Sequence, residues 1–96
     1  MRGLENAVLE HLVQSRYAAA VAGDQAWGIR TAAEVQRVAG LDHRASVAQT
    51  EAALRALEGR GLVVVDTRGE RSGWRASAEG AAAFDHAVDA RTPLAA

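Results

Sequence analysis

From Leu4 to about Ala22 the chain has no Pro and no interior Gly, and Leu4, Val8, Leu9, Leu12 and Val13 share one wide face at helical spacing. Glu10, His11 and Gln14 point the other way. This pattern predicts a first helix over 4–22, stopped by the turn signal Gly23-Asp24. Trp27-Gly28-Ile29-Arg30 then reads as a short extended segment. Thr31-Ala32-Ala33-Glu34 has the form of a capping box: the hydroxyl accepts from a first-turn N–H and the carboxylate reaches back. It opens a second helix over 31–40, with Ala32, Val35, Val38 and Ala39 as the buried stripe and Gly40 as the left-handed stop. Ser46-x-x-Gln49 repeats the capping-box pattern and opens a third helix over 46–59, with Val47, Thr50, Leu54 and Leu57 turned inward. Gly59 and Gly61 end it.

The pattern changes period at Leu62. Leu62 to Asp66 is a β-branched run, Thr67 to Gly73 is polar around Gly69, and Trp74-Arg75-Ala76 is again extended, which predicts a hairpin over 62–76 with a long tip. Ser77 caps a last helix over 77–91 carrying Ala81, Phe84 and Val88, with Glu79 near its positive end. The fold class expected is mainly α with a small β-hairpin, an α+β domain in the order of a winged helix-turn-helix. Trp27 and Trp74, in the two extended segments, are expected to pair as a cross-strand cluster at the base of the hairpin. Tyr17 and Phe84 read as packing residues.

Composition narrows this picture. Ninety-six residues suit one domain, and with 23 Ala only 24 larger apolar side chains remain to fill its interior, which favours closely packed helices. The absence of Cys removes disulfides, thiolate metal sites and a cysteine nucleophile, and makes a cytoplasmic location the expectation. No apolar run reaches a membrane span, and Met1-Arg2-Gly3-Leu4 lacks the apolar core of a signal peptide. Net charge is -1, yet from Arg44 to Arg75 six Arg face four acids, a local +2 against -3 elsewhere.

Candidate chemistry is sparse. His11, His43 and His86 are scattered without paired-ligand spacing, so no metal and no cofactor are expected. No nucleophile has a plausible base, and no Gly-rich phosphate loop is present, which argues against an enzyme.

The string Leu54-x-x-Leu57-Glu58-x-Arg60-Gly61-Leu62-Val63 resembles the end of the recognition helix and the first wing strand of the MarR and PadR-type bacterial regulators. Asp66-x-Arg68-x-x-Arg71 is similar to the wing tip of the MarR family, and Ser77-Ala78-Glu79-Gly80 stands where those families carry a Thr-Glu-x-Gly helix start. The resemblance covers roughly Thr31 to Phe84. It implies a winged-helix transcriptional regulator that binds duplex DNA, with the third helix in the major groove and the wing beside it. The linker 40–46 is about four residues longer than the tight turn usual in MarR proteins.

Opposite the inner stripe of the third helix lie Ala45, Ala48, Gln49, Ala52, Arg55 and Ala56. Of these, Gln49 and Arg55 can make bidentate base contacts. Arg68 and Arg71 at the wing tip suit a minor groove or phosphates, and Arg44 and Ser46 at the start of the third helix suit a phosphate. Each has a plainer alternative: Arg68 can pair with Asp66 or Glu70, and Ser46 can simply cap its helix. An Ala-rich helix face also suits contact with another protein, so a winged-helix interaction module stays open beside the DNA reading. The wide apolar face of the first helix, with Phe84 and Val88 of the last, leads us to expect a homodimer through these two helices.

Overall fold

The computed structural model describes residues 2–38 and 45–91. Helix α1 (Arg2–Ala22) is followed by a single 3-10 turn (Gln25–Gly28), α2 (Ala32–Val38), α3 (Val47–Gly59), strands β1 (Val63–Arg68) and β2 (Arg71–Ala76), and α4 (Ala78–Arg91). The protein is thus mainly helical with one antiparallel hairpin, an α+β fold compatible with a winged helix-turn-helix. Among the described residues no helix is long and apolar enough to cross a membrane.

Both capping boxes form. Glu34 N donates to Thr31 Oγ1 at 3.1 Å while Thr31 N donates to Glu34 Oε1 at 3.0 Å, and the same exchange joins Ser46 and Gln49. Two donors at each helix start are thereby satisfied without tertiary help. Gly40, Ala39 and Arg44 lie outside the described residues.

One core joins every helix to the hairpin. Val8, Leu9, Leu12 and Val13 of α1 meet Val35 of α2, Ala53, Leu54 and Leu57 of α3, Val63, Trp74 and Ala76 of the hairpin, and Ala81 of α4, with Phe84 packed against them. On α3 the buried stripe is Thr50, Ala53, Leu54 and Leu57. Val47, expected inside, is 42% exposed, and Ala45, expected outside, is buried. The reason is the cap: helical geometry begins only after Ser46, so Ala45 lies on the preceding extended segment and follows no helical phase.

The extended segment expected at Trp27–Arg30 is instead the 3-10 turn, capped by Asp24, whose carboxylate accepts from Ala26 N at 3.1 Å. Extended pairing survives only at Arg30, which exchanges two 2.8 Å backbone hydrogen bonds with Trp74 on the free edge of β2. Trp27 is carried by the turn into solvent, 54% exposed, whereas Trp74 is buried, so the expected tryptophan cluster does not form. The long polar tip is also shorter than expected. The strands run to an Arg68↔Arg71 pair and leave only Gly69 and Glu70 to turn. Gly69 has φ 61, the conformation that the first position of a tight II′-type hairpin demands of a glycine.

His11 does not face solvent as expected. It is half-buried, its Nε2 has no hydrogen-bond partner among the described residues, and burial followed by the nearby Arg30 charge holds its pKa below 6.5. The folded protein therefore binds fewer protons here than the unfolded chain. This contribution to stability is fully present above pH 6.5 and is lost as pH falls through 6.5 toward the lowered folded value. The urea midpoint should fall between about pH 7.5 and 5.5, a window above the usual carboxylate range, and His11→Gln should flatten that dependence.

Candidate nucleic-acid interface

With its inner stripe fixed against α1 and α2, α3 turns Ala48, Gln49, Glu51, Ala52, Arg55 and Ala56 to solvent. Most of this surface is short. A helix bearing Ala at three of these positions can bring its backbone close to whatever it meets.

The two long polar side chains of this face, Gln49 and Arg55, differ in freedom. Gln49 Oε1 accepts from Ser46 N at 2.8 Å, so the carboxamide oxygen is held at the helix cap while the NH2 group keeps its two N–H donors. A bidentate contact to adenine needs the oxygen and the NH2 on the same base, so it requires the cap to open, and capped Gln49 presents only its N–H donors. Arg55 is more open. It lies 3.8 Å from Glu51 one turn back, a loose exposed pair, and its guanidinium sits 5.8 Å from the centre of the Trp74 ring. Contacts of this kind are weak in water and are readily exchanged for a phosphate or a base edge. Ser46 is the cap itself: its Oγ accepts from Gln49 N at 3.1 Å, and its carbonyl accepts from Thr50 Oγ1 at 2.9 Å.

The wing arginines are engaged with the protein. Arg68 Nε donates to Asp66 Oδ2 at 3.2 Å, and the same oxygen accepts from Arg75 Nε at 2.7 Å. These two guanidinium groups, Arg75 first, hold the Asp66 carboxyl below its usual range. Arg68 remains half exposed at the tip and keeps both terminal nitrogens beyond this bond. Arg71 is placed differently. Its Nη2 donates to Ile29 O at 2.8 Å and to both oxygens of Glu34 at 3.1 Å, tying the wing to the start of α2. Its Nε is buried without a partner among the described residues. Glu34 is held below its usual pKa first by the Thr31 N–H and then by Arg71, so one carboxylate serves both the α2 cap and the wing clamp. Arg71 is thus a wing brace, and the cations best placed for an outside partner are Arg55 and Arg68.

Neither Glu34 nor Arg75 stood out in the sequence as part of this surface. Thr31-x-x-Glu34 disclosed only the local cap, and the register that brings Arg71 to it is tertiary. Arg75 lies diagonally across the hairpin from Asp66, a relation visible only once the strands pair as Asp66↔Gly73. Among the described residues no cluster of three or more His, Cys, Asp or Glu could hold a metal ion. Comparison with protein families, with curated proteins and with solved structures finds no match to this chain.

Proposed function

We propose that this protein binds duplex DNA as a small cytoplasmic winged-helix regulator of the MarR/PadR kind, without catalysis or cofactor. The observation that supports this reading best is the pairing of two surfaces. The uncovered face of α3 around Ala48, Gln49, Ala52, Arg55 and Ala56 adjoins a short two-stranded wing whose tip carries the half-exposed Arg68. A helix of that width fits a major groove, and a guanidinium on a thin hairpin suits the adjoining phosphates or minor groove. Arg55 and Arg68 supply charge, while the NH2 group of Gln49 can donate to a base edge.

The expected signature is in salt dependence. Each phosphate-contacting Arg contributes about 0.9 to the log–log slope of affinity against salt, so Arg55→Ala with Arg68→Ala should flatten it by nearly two per protomer. Arg71→Ala should leave the slope nearly unchanged and lower thermal stability, because Arg71 braces Glu34 and Ile29. Fluorescence anisotropy of a labelled duplex between about 50 and 200 mM salt measures this. An unaltered slope in the double variant contradicts the placement of the interface.

We also propose a homodimer through α1 and α4. On α1, Val21 is 91% exposed and Tyr17 is nearly half exposed, with its hydroxyl donating to Asp85 of α4. Light scattering that reports a monomer at high micromolar concentration contradicts it. A second reading, an interaction module that docks a protein on α3, is favoured by one observation. The exposed Val47 and the 55% exposed Val65 extend the Ala-rich surface with apolar rather than basic side chains.

A further inference from the structure

The 3-10 turn that displaces Trp27 also opens a groove. Asp24, Ala26, Trp27, Arg30 and Arg71 line an open depression of about 350 Å³, at the small end of ligand-sized sites. Three chemistries converge in it. Trp27 offers a half-exposed indole, with the Arg30 guanidinium in cation–π range over its ring, 5.5 Å from the ring centre. Arg30 commits Nη1 to Ile29 O at 3.3 Å and Arg71 commits Nη2 to Ile29 and Glu34. Among the described residues no partner takes the other terminal nitrogen of either guanidinium. Asp24 spends one oxygen on Ala26 N and keeps the other.

A planar ring, an anionic group and an N–H donor on one small molecule would satisfy all three. Aromatic and guanidinium planes stack nucleobases, guanidinium forks bind phosphate, and a carboxylate accepts from the Watson–Crick edge of guanine, which presents N–H groups where adenine presents an acceptor. We infer that this groove binds a purine mononucleotide, guanine in preference to adenine, with the base on the exposed Trp27 indole, its donor edge at Asp24 and its phosphate at Arg30 and Arg71. The site is separate from the α3 face and from Arg55 and Arg68, so it stands whether or not the chain binds DNA.

The two tryptophans make the test direct. In nitrogen-15 NMR spectra of the full chain without DNA, GMP should move the indole signal of Trp27 saturably, with a dissociation constant of about 1 mM or tighter, and leave that of buried Trp74 in place. Trp27→Phe, a surface change, assigns the signal. Arg30→Ala should weaken binding at least tenfold, read from backbone amides around Asp24 and Ala26. AMP should bind several-fold more weakly than GMP, and Asp24→Asn, which keeps the capping acceptor, should erase that difference. A Trp27 signal unmoved to about 5 mM GMP overturns the inference. So does an equal response to inorganic phosphate or ribose 5-phosphate, which would reduce the site to an anion contact. Equal affinity in folded Arg30→Ala overturns it as well.

Discussion

Leu57→Ala is expected to lower the free energy of unfolding by about 2 to 5 kcal/mol. Leu57 is 1% exposed and lies in the cluster with Val8, Leu12, Val35, Leu54 and Val63, where α1, α2, α3 and the hairpin all meet. Truncation removes three carbons from contact with several elements at once, and neighbours held by separate helices cannot all collapse onto the gap. Domains of this size have only about 5 to 15 kcal/mol in total, so the variant stands near the edge of folding. Urea denaturation followed by circular dichroism measures the loss. An unchanged midpoint would mean that the inner face of α3 is assigned wrongly, and with it the outer one.

Gly80→Ala should cost about 3 kcal/mol, although the same change in an exposed helix gains close to 1. The first turn of α4 is stitched to the start of the hairpin: Ser77 N donates to Leu62 O at 3.1 Å, Ser77 Oγ to Gly61 O at 2.6 Å, and Gly80 N to Ser77 Oγ at 2.9 Å. A Cβ on Gly80 would overlap the Leu62 carbonyl, which is backbone and cannot rotate aside. Either α4 lifts from the hairpin or the Ser77 bonds break. Gly3→Ala is the control, since a Cβ there meets nothing within 4 Å, and it should be neutral or stabilising. Equal melting temperatures for the two variants would contradict the close approach of α4 to Leu62.

Features fixed by local chemistry were legible in the sequence. Both capping boxes and the Ser77 helix start depend on residues within about four positions and form as read, and the β-branched run forms a strand, though it extends to Arg68. Misreadings arose where a cap or a pairing partner outside the repeating pattern decides, near or far along the chain. The segment after Gly23 has extended propensity, but the Asp24 cap closes a 3-10 turn and only the edge of β2 restores pairing, at Arg30. That local turn moves Trp27 from an expected cross-strand cluster with Trp74 out to the surface. On the proposed interface, Gln49 and Arg55 were identified from helical phase, and phase is periodic. The engagement of Gln49 follows from the capping box read at Ser46-x-x-Gln49, but whether Arg71 is free was not legible, because it is claimed by Glu34 37 positions away.

Contact of α3 and the wing tip with duplex DNA is tested residue by residue by amide chemical-shift mapping. The chain is titrated with a short duplex at about 50 mM salt, where electrostatic binding is strong, and again near 200 mM. Shifts are expected to concentrate at Ala48, Gln49, Ala52, Arg55 and Ala56 of α3 and at Arg68 and Gly69 of the wing, and to fade at the higher salt. Absence of any shift at about 50 mM, or shifts gathered on the exposed face of α1 around Tyr17 and Val21 instead, would contradict it.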